Sequence, residues 1–255
     1  MCTVVIEVPP RSRGDGPRRP TVPDTLRLLA VRDEDPGRPW DSLGEWWPEL
    51  PGVQGVRDRR AGGAWLAVNP GAGRLAVLLN RAEGAQAPLP AGPLISRGTL
   101  PLAAVTGTGI ADPPGTAAFN LLAIDRSRAE VLMWDGITLE RTELEPGIHM
   151  IAHYGVDDVE TTPRIASWLP RFRALAGLPE GEWQPAWIEL LGETGVLPPD
   201  DDRAIIRDNR SHGFPTLSLM VCLAEVPTAA TGAPPASLLS AELAEPGVWG
   251  NPAFS

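Results

Sequence analysis

Two stretches decide the fold of this chain, MCTVVIEV at residues 1–8 and LRLLAVRDE at residues 26–34. Both are rich in β-branched and aliphatic residues, which is typical of buried strands. The segment between them, PPRSRGDGPRRPTVPD at residues 9–24, is rich in Gly and Pro and is typical of a loop. We therefore predict strands over Thr3–Val8 and Leu26–Val31 that pair as an antiparallel hairpin.

The register of this hairpin brings polar residues together at one end of the sheet. If Val8 pairs near Leu26, counting back along both strands places Cys2 opposite Arg32. A slip of one or two residues still leaves Cys2 close to the Arg-Asp-Glu sequence at 32–34. The hairpin therefore predicts a polar site at the start of the chain.

The rest of the chain continues with strands, then helices, then strands. Further strands are predicted at Ala64–Asn69, Arg74–Asn80, Phe119–Asp125, Ala129–Trp134, Ile137–Leu144, Gly147–His153 and Thr216–Glu225. Three helices are predicted. The first covers Leu100–Val105, the second begins at Pro163 after a hydroxyl cap at Thr162, and the third covers Trp183–Gly192. This order favours an α+β layered domain. We predict a single domain over residues 1–255, with a weakly ordered Ala/Pro-rich tail near 227–255 that has room for one last strand.

Two glycines, Gly62 and Gly63, precede the hairpin at residues 64–80. Glycine at such a place indicates an unusual φ or a close approach of two backbones that a side chain would block.

Composition excludes several classes of protein. The net charge of −10 repels a phosphate backbone, so we expect no nucleic-acid partner. No run reaches the ~20 apolar residues that a membrane-spanning helix needs. The chain has two cysteines, which is too few for a disulfide framework or a Cys-rich zinc site. With no export signal in the sequence, we expect reduced thiols and a cytoplasmic location.

The chemistry expected at the start of the chain is nucleophilic. Removal of Met1 would leave a free α-amine on Cys2, with a reference pKa of about 7.7–8.0 beside a thiol of about 8.5, so the amine can act as the base for the thiol. Arg32 would stabilise a thiolate, and Asp33 would hold the ammonium form of the amine. Asn80, at a neighbouring strand end, would bind the oxyanion of an attacked acyl group. A cysteine at this position without a chemical role is the alternative.

Other side chains are candidates for contacts with a substrate. We assign this role to Trp65, His153 and Glu34, while core packing is the alternative for Trp65. His149 and His153 lie four apart in a predicted strand, about 13 Å from each other, which is too far for one metal ion. We predict no metal site, and Cys222 inside an apolar strand is expected to be a buried, inert thiol.

The sequence resembles the NRDE family, which is also called the transport and Golgi organisation family. The resemblance starts with Met1-Cys2-Thr3 and, about thirty residues later, Arg32-Asp33-Glu34, preceded by Val31 where the family has Asn. Further matching segments follow in order at Arg57-Asp58, Ala61–Leu66, Gly73-Arg74, Leu79–Arg81, Ser96–Leu100 and Phe119–Leu121. The chain has His153 where the family tends to have Asn.

The resemblance implies a fold like that of the N-terminal-nucleophile hydrolases, a four-layer αββα sandwich. Related folds hydrolyse amides with an N-terminal Cys, which implies hydrolysis of a non-peptide C–N bond through an acyl-thioester on Cys2. The family has also been linked to haem or lipid handling. A non-catalytic carrier or chaperone that binds haem or another hydrophobic small molecule is therefore the alternative. No cofactor is implied other than haem as a ligand, and a small molecule is the expected partner.

Overall fold

A computed structural model describes residues 2–10, 25–81, 95–228 and 233–255. Within these residues the chain forms two antiparallel sheets and three α-helices, which confirms the α+β class. The strands are β1 (Thr3–Val8), β2 (Thr25–Glu34), β3 (Trp40–Gly44), β4 (Gln54–Asp58), β5 (Ala64–Asn69), β6 (Arg74–Asn80), β7 (Phe119–Ile124), β8 (Ala129–Trp134), β9 (Leu139–Glu143), β10 (Gly147–Ala152), β11 (Gly155–Val156), β12 (Leu217–Pro227) and β13 (Ser237–Glu242). The helices are α1 (Thr99–Thr106), α2 (Pro163–Arg173) and α3 (Trp183–Thr194).

The two sheets differ in how the chain builds them. The meander sheet contains β3 to β9 in chain order, so each strand pairs with the next along the sequence. The N-terminal sheet has the order β11-β10-β1-β2-β12-β13, which brings together both ends of the described chain. Its central strands, β1 and β2, are the two stretches from which the fold was predicted.

The predicted register of the first hairpin is confirmed. Thr3 pairs with Val31 and Val4 pairs with Ala30, so the next position outward places Cys2 opposite Arg32. On its other side β2 pairs with β12, where Ser218 lies opposite Asp33.

Because side chains alternate along a strand, the N-terminal sheet has two different faces. Val4, Ile6 and Ala30 pack with Leu66 and Val77 of the meander sheet in one core cluster. A second cluster joins the opposite face of the N-terminal sheet to α2 and α3, and a third joins the meander sheet to α1. Burial of each large aliphatic side chain in such cores contributes about 1.5–3 kcal/mol.

Helix α2 begins at Pro163, as predicted, and buries the regularly spaced Ile165, Trp168 and Phe172. The expected hydroxyl cap is wrong, because the Thr162 Oγ1 donates to the Asp158 carboxylate at 2.7 Å instead. Proline at the start of the helix costs nothing there, since the missing N–H would have had no partner within the helix.

The structure adds elements that the sequence did not predict. Strands β3 and β4 lie in the Trp- and Pro-rich connector, where each contains a glycine and neither alternates regularly between buried and exposed positions. Strand β2 extends beyond Val31 to Glu34, which carries the polar Arg-Asp-Glu sequence into the sheet. In the tail, where the sequence left room for one last strand, the structure forms β13, which pairs with β12. None of the helices within the described residues is long and apolar enough to cross a bilayer.

Candidate functional site

A cavity of about 310 Å³ lies at the end of the first hairpin, between the N-terminal sheet and the meander sheet. It is lined by Cys2, Arg32, Asp33, Glu34, Trp65 and Asn80, all of which the sequence singled out. The remaining wall includes Arg38, Asp58, Leu78 and the segment from Ile95 to Gly98. The first hairpin and the strands β5 and β6 therefore bring the predicted residues to one cavity, with the exception of His153.

Cys2 directly precedes β1, with 5% of its surface exposed. Its thiol donates a hydrogen bond to the main-chain oxygen of Asp33, at 3.7 Å from the sulfur. Burial raises the pKa of the Cys2 thiol and the nearby Asp33 carboxylate raises it further, while Arg32 acts in the opposite direction. The sequence suggested that Arg32 would favour the thiolate, but its effect on the pKa of Cys2 is smaller than that of burial. The resting thiol is therefore protonated at neutral pH.

Arg32 connects the two sheets beside the cavity. Its side chain is 3% exposed, and its guanidinium lies 5.5 Å from the centre of the Trp65 ring and 6.0 Å from that of Trp40. It also donates to the Glu34 carboxylate at 3.1 Å. Cation–π contacts are strongest where water is excluded, so these partners hold a positive charge in a fixed place next to Cys2.

Asp33 follows Arg32 on β2, so its side chain projects from the opposite face of the strand. Its carboxylate accepts a hydrogen bond from the Ser218 hydroxyl at 2.6 Å and one from the Asn209 amide at 3.3 Å. Sequence reasoning missed both of these residues. Ser218 follows from the β2–β12 register, whereas Asn209 lies in a loop whose path no periodicity in the sequence reveals.

Arg38 and Asp58 form an ion pair in the cavity wall, in which both the Nε and a terminal nitrogen of the arginine donate to the carboxylate. The hydrogen bond to Asp58 raises the pKa of Arg38. Burial alone would raise the pKa of Asp58, but donation from Arg38 and from two main-chain N–H groups outweighs it and lowers that pKa. Both groups are therefore charged over the whole neutral range.

The two glycines before β5 shape another part of the wall. Gly62 has a φ of +73°, and a Cβ on Gly63 would lie 2.4 Å from the carbonyl carbon of Gly98. This close crossing is secured by a hydrogen bond of 2.8 Å from the Ala64 N–H to the Gly98 oxygen. The predicted reasons for glycine here are both confirmed, and the crossing places Arg97 at the cavity, where it also donates to the Ala118 oxygen at 2.8 Å.

His153 follows β10 and lies outside the lining of the cavity. A terminal nitrogen of Arg164 donates to its Nδ1 at 3.1 Å, which places the ring proton on Nε2. Burial and then the charge of Arg164 lower the pKa of His153 to about 4, so the ring is neutral at pH 7. Its contact with a substrate stays a prediction, as does the oxyanion role of Asn80, which is exposed at the end of β6.

Cys222 is fully buried in β12, and burial raises the pKa of its thiol to about 12. This matches the inert thiol expected from its apolar strand. In the part of the chain that the structure describes, no group of three or more His, Cys, Asp or Glu side chains is arranged to hold a metal ion.

The chemistry of the cavity is set by charge. Three arginines and three acidic residues line it, so the walls offer donors and acceptors for a small polar molecule. The Cys2 thiol belongs to the lining of this polar space.

Comparison with known proteins places the chain in a family. No protein of curated function matches it. The sequence profile of the family Transport and Golgi organisation 2 matches residues 1–174, from before β1 to the end of α2. The matched part includes the residues named above as lining the cavity, which agrees with the resemblance seen in the sequence. The chain therefore belongs to the Transport and Golgi organisation 2 family.

Proposed function

We propose that this protein hydrolyses a C–N bond in a small, charged, non-peptide amide, with Cys2 as the nucleophile. The observation that carries the proposal is the position of the Cys2 thiol at the end of a cavity of about 310 Å³ lined by charged side chains. A cavity of this volume is at the small end of ligand sites and suits a compact substrate.

The proposed reaction begins once Met1 has been removed. The α-amine of Cys2 accepts the thiol proton as the sulfur attacks the amide carbonyl. The tetrahedral intermediate breaks its C–N bond, the ammonium returns a proton to the leaving amine, and an acyl-thioester remains on Cys2. Water then attacks the thioester with the amine as base, which releases a carboxylic acid and restores the thiol.

A neighbouring base is needed because burial raises the pKa of the Cys2 thiol. A thiolate is therefore not present in advance, and the proton must leave during the attack. Asp33 would stabilise the ammonium that forms, while Arg32 would stabilise negative charge on the sulfur. Asn80 would donate to the oxyanion.

Charged residues in the lining support the choice of substrate. Arg32, Arg38 and Arg97 favour a carboxylate on the substrate, and Glu34 would orient its N–H groups. Trp65 provides a flat apolar surface for the acyl part, and His153 would contact the substrate after a change of position. We take N-acyl amino acids as the simplest molecules with this chemistry.

A carrier without catalytic activity is the second candidate. It is favoured by the protonated state of Cys2 and by the tryptophans Trp40 and Trp65 around Arg32, which provide apolar surface near the cavity. Haem suits the site less well than a polar molecule does, because charged residues line the cavity and His153 lies outside the lining. A haem titration tests this candidate, since a carrier would shift the Soret band at micromolar haem.

We further infer that the two sheets and their helices form the four-layer αββα sandwich of the N-terminal-nucleophile hydrolases in one domain. Support comes from the three core clusters, of which one lies between the sheets and two join a sheet to helices. The two free thiols, Cys2 and Cys222, suit the reducing cytoplasm in which we place the protein. A crystal structure superposed on an N-terminal-nucleophile hydrolase tests the fold.

Amine release from a panel of N-acetyl amino acids tests the function. We expect turnover by the chain that has lost Met1, loss of at least ~100-fold in Cys2→Ala, and wild-type turnover in the matched control Cys222→Ala. Intact mass measured on the same samples reports whether Met1 is present. Equal turnover by Cys2→Ala and wild type, or full retention of Met1 in an active sample, contradicts the proposal.

A further inference from the structure

We propose that Arg207 is a positioning residue that fixes the hydrogen-bond donors of Asn209 and Ser218 on Asp33, and so holds Asp33 as a carboxylate toward the start of β1. This inference rests on the proposed function, because the group that Asp33 serves is the α-amine of Cys2. Arg207 was not singled out by the sequence, and it lies beyond the residues that the family profile matches.

The side chain of Arg207 is held by partners on several sides. It is 3% exposed, and its Nε donates to the Asn209 side-chain oxygen at 3.0 Å. Its terminal nitrogens donate to the Asp201 main-chain oxygen at 3.1 Å and to the Asp202 carboxylate at 3.2 Å. One of them also lies 3.1 Å from the His212 Nε2. A guanidinium with this many partners cannot turn without breaking several hydrogen bonds.

The orientation of the Asn209 amide follows from these contacts. A guanidinium can only donate, so the Asn209 atom that faces the Arg207 Nε must be the oxygen. The NH₂ end then faces the Asp33 carboxylate at 3.3 Å and two oxygens of Thr216, at 3.1 and 3.2 Å. The reversed amide would set an oxygen against the Asp33 carboxylate and the Thr216 main-chain oxygen, neither of which can donate. The first donor on Asp33 is therefore fixed by Arg207.

Ser218 provides the second donor by the same logic. The main-chain N–H of Arg207 donates to the Ser218 Oγ at 2.9 Å, so this hydroxyl oxygen is an acceptor on that side. Its proton is left to point at Asp33, whose other oxygen lies 2.6 Å away. Both oxygens of Asp33 thus accept hydrogen bonds, which is the pattern of an ionised carboxylate.

This arrangement affects a cation at the start of β1. The donors on Asp33 from Ser218 and Asn209 are neutral, so they orient its charge without cancelling it. A carboxylate held in this way stabilises the ammonium that the amine becomes when it takes the thiol proton, and it keeps that amine in a fixed position. Arg207 thereby acts on Cys2 through Asp33 rather than by contact.

The test uses the two cysteines of the chain as labelled reporters. The full chain is prepared without Met1 and with ¹³C,¹⁵N-cysteine, so that Cys2 and Cys222 give separate NMR signals and Cys222 serves as an internal reference. We expect the wild-type α-amine to titrate about 1 pH unit above its reference range, and Asp33→Asn to remove this shift. We expect Asn209→Leu and Arg207→Met to lower the titration by a similar amount, and Ser218→Ala to lower it less.

The sign separates positioning from a direct effect of charge. Loss of a nearby cation by itself raises the pKa of an amine, so a purely electrostatic role of Arg207 predicts an upward shift in Arg207→Met. Asn209→Leu changes no charge, so its effect reports only the loss of the hydrogen bonds that connect Arg207 to Asp33 through Asn209. The matched control is Arg171→Met, which removes an exposed arginine of α2 that pairs with Glu193, and it should titrate like wild type.

Each outcome decides a different claim. If Asp33→Asn lowers the titration but Arg207→Met and Asn209→Leu do not, the positioning role is overturned and the proposed function stands. If Asp33→Asn has no effect, or Met1 is retained, the proposed function fails. The positioning role is then decided by a double-mutant cycle measured by urea unfolding. Changes in unfolding free energy that are non-additive for Arg207→Met and Asp33→Asn support the role, and additive changes overturn it.

Discussion

Cys2 and Cys222 are both buried thiols, yet they occupy different environments. Cys2 lines a cavity and is 5% exposed, whereas Cys222 lies within β12 and is fully buried. Reactivity depends on access as well as on the thiolate fraction. Burial raises the pKa of both thiols, and it raises that of Cys222 to about 12.

We therefore expect iodoacetamide to label Cys2 in the native protein while Cys222 stays protected until the chain unfolds. The rate for Cys2 should still be rising at pH 9, because its raised pKa keeps the thiolate fraction small below that pH. Peptide mass mapping between pH 6 and pH 10 measures both rates. Equal labelling of the two cysteines in the native state would show that the cavity gives Cys2 no special access.

The polar partners of the site show what a sequence can reveal at this scale. The register of one hairpin places Arg32, Asp33 and Glu34 beside Cys2. This register could be predicted because it depends on chain length and apolar pattern alone. Asn209 and Arg207 could not be found in this way, because they lie on a loop whose path is fixed by its own hydrogen bonds. Such loops have no periodic signal in the sequence.

Among the elements, the crossing of Gly63 over Gly98 tolerates little change. We expect Gly63→Ala to cost roughly 1–3 kcal/mol, since its Cβ would lie 2.4 Å from main-chain carbon and must push the cavity wall aside. Urea unfolding measures this loss. The matched control is Gly71→Ala in the turn after β5, where the nearest atom would be 3.9 Å away, and its effect should stay within ~0.5 kcal/mol. Equal effects at both positions would mean that the crossing is not tight.

Strand β10 carries an ion pair whose strength depends on pH. His149 donates from one ring nitrogen to the Asp157 carboxylate and from the other to the Glu145 main-chain oxygen, each at 2.8 Å. Because both partners are acceptors, the ring carries two protons. The hydrogen bond to Asp157 raises the pKa of His149, although burial opposes it.

A raised folded-state pKa means that this stabilisation is complete below the unfolded value of about 6.5 and is lost as pH rises through the folded value. We therefore expect wild type to exceed His149→Gln in unfolding free energy most at pH 6 and least at pH 9. Urea titrations at pH 6, 7.5 and 9 test this. In Asp157→Asn the pH dependence should weaken, and a constant difference across the range would refute the ion pair.

Some elements could be predicted and others could not, for a physical reason. The strands with continuous apolar runs, such as β1, β5 and β12, were all found from the sequence. Strand β3 was missed, because it places an exposed serine and a glycine within five residues and depends on pairing with β4 for its order. The sequence of β3 by itself therefore has no pattern typical of a strand, and its pairing with β4 keeps it extended.

The whole molecule is held together by a strand from outside the family match. The profile ends at residue 174, yet β12 pairs with β2 along its length and supplies Ser218 to the site. We expect a chain ended at residue 174 to lack a cooperative unfolding transition, since β2 would lose a neighbour and the second core cluster would lose α3. Circular dichroism with thermal melting tests this against the chain of 255 residues. A cooperative melt of the short chain would show that the matched part is a domain on its own.

The α+β class follows from the order of apolar segments, whereas the pairing of β12 with β2 depends on a contact across almost two hundred residues. Sequence patterns contain little information about such distant pairing. The cavity at the sheet end was predicted because its core lies in a local hairpin. The donors to Asp33, Asn209 and Ser218, were not predicted, because they lie on β12 and the loop before it.

The central claim, that Cys2 is a nucleophile in this cavity, is tested most directly by mass spectrometry of protein quenched in acid during incubation with the N-acetyl amino acid panel. The account predicts an N-terminal peptide that starts at Cys2 and carries one acetyl group, which hydroxylamine removes as it does from a thioester. Amine release while Cys2 stays unmodified, or no acetylation of Cys2 by any amide of the panel, would contradict it.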